Sequence, residues 1–209
     1  MSRVTAVTPV VEEVVLLDDD GHEVGTTPKA TVHGAATPLH LAFSCYLFVP
    51  GGVLLTRRSD TKRTFPGVWT NALCGHPLPG ETLVSSVTRR ARDELGLEVA
   101  DITLRLPRFR YRAEMLGIVE HEWCPVVTAR TTSPVTPVPV SPDPSEVSDW
   151  AVVPWPDLVA RAEAGQDLSP WSREQVPLLA ALGPQPAAWP VGDRSLLPPA
   201  LAWDETASG

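Results

Sequence analysis

Cys74 and His76 stand two positions apart in TNALCGHPLPGE, just ahead of a Pro-Gly turn. Side chains in an extended segment alternate faces, so the two share one face. They are either two halves of a site or a buried structural pair, since free cysteines are commonly buried. The stretch IVEHEWC repeats the geometry, with Glu120 and Glu122 on one face and Val119, His121 and Trp123 on the other. Two carboxylates side by side on a buried strand repel and lose hydration, which a metal or a shared proton relieves. On an exposed face they would simply be solvated. His33, His40 and His76 each precede or abut a core-forming segment. Three imidazoles and two carboxylates make an N3O2 donor set suited to zinc, manganese or iron. Taken alone, HGAATPLH reads equally well as a loop with two incidental histidines.

These side chains must be carried by regular elements. VEEVVLLDDDGHEVG reads as a strand, an acidic turn at Gly21 and a return, and HLAFSCYLFV–PGG–VLLTRR as a second strand–turn–strand unit. ETLVSSVTRRARDELG is the clearest helix, with Val84, Val87, Ala91 and Leu95 in one apolar stripe and Gly96 as a stop. Arg90 and Glu94 lie one turn apart on the flank of that stripe, where they can look into a pocket beside the core. Asp93 faces solvent. FRYRAEM and IVEHEWCPVVTAR are further strands, PDLVARAEAG is a helix entered after Pro156, and SREQVPLLAALG is another with a proline near its start. TTSPVTPVPVSPDPSE is too proline-rich for a central strand and reads as an extended surface loop. The order of elements predicts an α+β fold in a single compact domain. Residues 1–10 form a flexible lead-in, 11–183 the domain, and 184–209 a proline-rich, poorly ordered extension that Trp189 and Trp203 could dock.

The chain has 209 residues, 23 prolines and a formal net charge of −8. Without a basic run, nucleic acid is excluded as the main partner. The few cations gather instead: Arg57, Arg58, Lys62 and Arg63 lie just before the Cys74 stretch, and Lys29 just before His33. Such a group can clamp a diphosphate. Cys45, Cys74 and Cys124 form no CxxC spacing, so neither a disulfide framework nor a zinc knuckle is indicated. The longest apolar run, LHLAFSCYLFV, is shorter than the roughly 20 residues a membrane helix needs. A cytoplasmic protein with no membrane partner is expected, and a monomer, since nothing suggests an obligate interface.

GHPLPGETLVSSVTRRARDELG also has the frame of a Nudix box, with Glu81 and Arg89 in register. In ordinary Nudix hydrolases, glutamates after that arginine hold magnesium. Here the next residue is Arg90, and only Asp93 and Glu94 remain. Together with HGAATPLHLAFS, LLTRRSDTKRTFPGVWTNALCGHPLPGE, FRYRAEMLGIVEHEWCPV and SPW, the pattern resembles the type I isopentenyl-diphosphate delta-isomerases, which have the Nudix fold of mixed β-sheets packed with helices.

The resemblance implies interconversion of isopentenyl and dimethylallyl diphosphate by 1,3-allylic proton transfer. It implies Cys74 and Glu122 as the acid–base pair, Tyr111 assisting Glu122, and Trp171 offering its ring to a developing carbocation. A divalent metal (Mn2+, Zn2+ or Mg2+) would sit on His33, His40, His76, Glu120 and Glu122. Glu94 would hold Mg2+ against the diphosphate, and Lys29, Arg58, Lys62 and Arg90 would clamp it. Cationic surroundings are expected to lower the Cys74 thiol pKa. The alternatives are a Nudix diphosphate hydrolase, a relative acting on a modified isoprenoid diphosphate, and a non-catalytic metal-binding module.

Overall fold

The computed structural model describes residues 12–133 and 137–204, so the lead-in expected over 1–10 lies outside the described residues. Strand β1 (Glu13–Leu17) returns as β2 (Glu23–Pro28) around the acidic turn. The Asp18 carboxylate accepts the backbone N–H groups of Asp20 and His22 there. At Gly21 φ is +86°, and a Cβ would lie 2.5 Å from the Trp123 ring, so only glycine fits. One helical turn, α1 (Lys29–Val32), leads to β3 (His40–Leu41), β4 (Phe43–Val49), β5 (Gly52–Arg58) and the short β6 (Trp69–Asn71) and β7 (Leu73–Gly75). Helix α2 (Leu83–Leu95) is followed by β8 (Val99–Leu106), β9 (Arg110–Met115), β10 (Ile118–Trp123), β11 (Val126–Thr131), β12 (Val147–Val153), α3 (Trp155–Glu163) and α4 (Pro170–Ala180).

Two mixed sheets result, ordered β2-β1-β3-β10-β9 and β12-β5-β4-β11-β8, with β6 and β7 added on β5 and β4. Each of the runs HLAFSCYLFV and IVEHEWCPVVTAR, read above as one strand, divides between the sheets. The first breaks at Ala42 and the second at Cys124–Pro125. Parallel pairing between them continues through the break: Ala42 donates to the Trp123 carbonyl at 2.9 Å and Ser44 to that of Pro125 at 3.0 Å. The proline, lacking an N–H, interrupts the ladder where the strands change sheet. Alternation along β4 sends Phe43, Cys45 and Leu47 into a core cluster shared with α2. Tyr46 and Phe48 enter a second cluster with α3 and α4.

Helix α2 buries Leu83, Val87, Ala91 and Leu95, with Val84 only partly covered. The predicted stripe thus starts one residue late, at Val84 instead of Leu83, and Thr82 is the cap. The Thr82 hydroxyl accepts from Ser85 N–H at 3.2 Å, and Gly96 closes the helix in the left-handed region. Two segments without regular structure complete both ends. The Ala202 and Trp203 carbonyls accept from Leu83 and Val84, while Ser141 and Asp143 in the proline-rich loop donate to the Leu95 and Glu94 carbonyls. The loop is therefore docked, with Val138 buried.

Strands β8 and β12 went unread: β8 has no clean alternation in burial, and β12 is an edge strand carrying exposed Ser148 and Asp149. Helix α4 starts earlier than predicted, at Pro170, which suits a first helical position, and Ser169 caps it. The predicted proline of this helix, Pro177, lies well inside it.

The extension from 184 is ordered through residue 204, correcting the expectation of a loose tail. Trp189 is 4% exposed and meets Trp155 with ring centroids 5.0 Å apart, and Leu201 is equally buried. Trp189→Ala is expected to cost about 3–5 kcal/mol in urea denaturation. An unchanged midpoint would show that the extension does not contribute to the core.

Candidate active site

The pocket opens where β3–β4 and β10–β11 leave the first sheet for the second. Parallel pairing sets Glu122 opposite His40, and antiparallel pairing sets Glu122 opposite Tyr111. His33 ends α1, and its neighbour Gly34 bridges to Val119, which brings the imidazole back over β10. Strand β7, paired to β4 with Cys74 opposite Ser44, delivers Cys74 and His76. The three imidazoles meet with ring centroids 5.1–5.7 Å apart.

His33, His40, His76 and Glu122 each present a ligand atom, all within 4.8 Å of one another and all from buried residues. His33 Nε2, His40 Nε2 and His76 Nδ1 are buried without a hydrogen-bond partner. Buried polar atoms seldom go unpaired, so this convergence is the local signature of a cation site. The Pro38 carbonyl lies 2.9 Å from His40 Nδ1; a proton there leaves the Nε2 lone pair facing the cluster. Burial drives the His33 and His76 pKa values down to about 3 and about 4, keeping both rings neutral as ligation requires. The donor set fits a divalent ion such as zinc or manganese. Glu120 lies outside this four-residue group; its carboxylate faces Tyr111 at 2.8 Å and Arg58 at 3.9 Å.

The Tyr111 hydroxyl lies 2.8 Å from Glu120 and 2.7 Å from Glu122. A phenol has one hydrogen to donate, so one of these bonds needs a proton on the carboxyl. Burial and the Glu122 charge push Glu120 up. For Glu122 burial also pushes up, but the contacts with His40 and His76 outweigh it and hold the group well below the usual carboxylate range. Of the two carboxyls Glu120 is therefore the one that holds a proton more readily.

Cys74 and this pair line one cavity of about 450 Å³, together with Trp171, Tyr111 and Arg58. Its sulfur lies 3.2 Å from Asn71 Oδ1 and 3.5 Å from Ser44 Oγ. The same Asn71 oxygen accepts from the Trp171 indole at 3.1 Å, and the Asn71 amide nitrogen donates to the Cys45 and Leu73 carbonyls. One buried carboxamide thus orients the thiol and the indole together. Contrary to the expectation of a depressed thiol, burial raises Cys74 to about 11, outweighing its hydrogen bonds and the Arg58 charge.

A Nudix domain matches residues 38–175. The isopentenyl-diphosphate Delta-isomerase of Mycolicibacterium vanbaalenii is 57% identical over 84% of this chain and 96% of its own length. The chain belongs to the isopentenyl-diphosphate Delta-isomerase family. The isomerase of Saccharopolyspora erythraea is 52% identical over 91% of this chain and 97% of its own. A solved structure from Deinococcus radiodurans shares the fold, with a TM-score of 0.59 at 22% identity over 79% of this chain and 98% of that one. Among the described residues no helix is long and apolar enough to cross a membrane.

In this member of the isomerase family the four predicted clamp cations converge on the same pocket. Lys29 pairs with Glu12 at 3.0 Å, and Lys62 with Glu146. Arg90 pairs with Glu94 at 2.6 Å and with Glu146 at 3.2 Å. Arg58 donates to the Thr64 and Phe65 carbonyls, and its guanidinium carbon lies 5.6 Å from the Trp171 ring centroid. Arg57 turns away to Asp60. Sequence reading missed Asn71, Glu12 and Glu146; only TNALC, which puts an amide three residues before the cysteine, held a local signal.

Adding zinc or manganese to metal-free protein is expected to raise Tm, and His40→Ala to abolish most of that rise. An equal rise in His40→Ala would move the ion elsewhere.

Proposed function

We propose that the chain interconverts isopentenyl and dimethylallyl diphosphate by proton transfer between Cys74 and Glu122. The observation that carries this reading is the pair's location: a thiol and a hydrogen-bonded carboxylate line the same cavity, held by different strands. Double-bond migration adds a proton at the terminal methylene and removes one from the carbon next to the diphosphate-bearing methylene. Two acid–base groups that each change state once achieve it, and atoms and charge balance without a co-reactant. Tyr111 and Glu120 supply and store the proton that Glu122 exchanges. Cys74 gives its proton in one direction and takes it in the other.

The flat face of Trp171 stabilises that cation, which water would otherwise quench. Trp171 is 1% exposed, and Phe65, Tyr111 and Asn71 hold its ring fixed. A divalent ion held by His33, His40, His76 and Glu122, whether Mn2+, Zn2+ or Mg2+, would supply a fixed positive charge that tunes Glu122. At the other end, Lys29, Arg58, Lys62 and Arg90 bind the diphosphate, and Glu94 carries its Mg2+. Arg90 in place of a Nudix-box glutamate supports holding the diphosphate rather than cleaving it. We assign the enzyme to the cytoplasm, as a monomer that uses neither nucleic acid nor membrane.

Incubation with isopentenyl diphosphate and Mg2+ in deuterium oxide should place deuterium in the methyl and C2 positions of the products. Phosphate release without exchange would favour a hydrolase. Cys74→Ala and Glu122→Gln should each lower the exchange rate by about 10²–10⁴-fold or more while leaving Tm nearly unchanged. A loss of stability with full activity per folded molecule would make the pair structural.

A further inference from the structure

The proline-rich loop ends by inserting Glu146 among the clamp cations. Its carboxylate touches the Lys62 ammonium and lies 3.2 Å from the Arg90 guanidinium, which also holds Glu94. Glu12, just ahead of β1, does the same for Lys29, with both oxygens 3.0 Å from the ammonium. All four clamp cations therefore already have a carboxylate partner, Arg58 through Glu120 at 3.9 Å, and the partners Glu12, Glu94 and Glu146 come from three unrelated segments. Burial pushes Glu146 up, but Lys62 and Arg90 outweigh it and hold it at about 2, so it stays ionised at any working pH.

A clamp built only to attract a polyanion gains nothing from carboxylates paired with its cations. Each one repels an incoming phosphate oxygen and cancels part of the cationic field. The same carboxylates attract a divalent cation travelling with the phosphates, and they are spared repulsion from an anion whose charge that cation has reduced. Resting on the diphosphate reading above, we propose that Glu146 and Glu12 are specificity-determining residues that bias the clamp toward a diphosphate carrying a divalent cation over the bare anion. Lys62 and Arg90 then serve two purposes, gripping the phosphates and holding Glu146 where it discriminates.

Inorganic pyrophosphate is the probe, with affinity measured by calorimetry in excess Mg2+ and again in a chelator. Wild type should bind the magnesium form more tightly. Glu146→Gln keeps the shape and hydrogen bonding but removes the charge, and it should narrow the preference about tenfold, chiefly by tightening binding in the chelator. Glu12→Gln should shift the preference in the same direction through Lys29, which guards against a folding defect in either variant. Equal weakening of both forms in Glu146→Gln would reduce Glu146 to a residue that positions Lys62 and Arg90, and an unchanged ratio in both variants would also overturn the inference. Failure of wild type to bind pyrophosphate in either form would instead overturn the diphosphate reading, and this inference with it.

Discussion

Two carboxylates on adjacent same-face positions of a strand, both nearly excluded from water, are the constraint to which the rest of the molecule answers. Glu120 and Glu122 are each 5% exposed. Uncompensated, such a pair would cost several kcal/mol per charge. The fold meets the cost locally, with two imidazoles against Glu122, a guanidinium near Glu120, and a phenol between them. Each compensating group comes from a different element: β3, the segment after β7, β5 and β9. Assembling the site and neutralising the buried charge are one requirement.

The change of sheet explains how so many elements reach one point. Where β3–β4 and β10–β11 stay paired through the break, their upstream halves carry His40 and Glu122. Of the downstream halves, β4 anchors β7 and the thiol. A continuous flat sheet would have put these groups on opposite faces or too far apart. The break at Ala42 and Cys124–Pro125 costs little, because the backbone bonds across it are kept.

Much of this was legible in the sequence. Same-face spacing predicted the Cys74–His76 and Glu120–Glu122 pairs, and the helical period predicted that Arg90 faces a pocket; Glu94, expected there too, is buried against Arg90 and is not among the residues lining it. What could not be read was anything fixed by long-range docking. Glu146 follows a run of prolines that has no periodicity, and Glu12 sits in a strand lead-in with another acid beside it. Nothing local separates either from a solvated surface residue. The thiol was misjudged for a related reason: the cations are near in sequence, but burial, a property of the folded whole, outweighs them. The tail was misjudged because proline content speaks against helices and strands, not against packing.

The first turn of α2 takes two of its acceptors from Ala202 and Trp203, far downstream of the helix they complete. Synthesis runs from N- to C-terminus, so Arg90 and Glu94 leave the ribosome long before the residues that close their helix. A chain interrupted before the tail keeps the Thr82 cap but leaves the Leu83 and Val84 N–H groups without the acceptors they have in the finished protein.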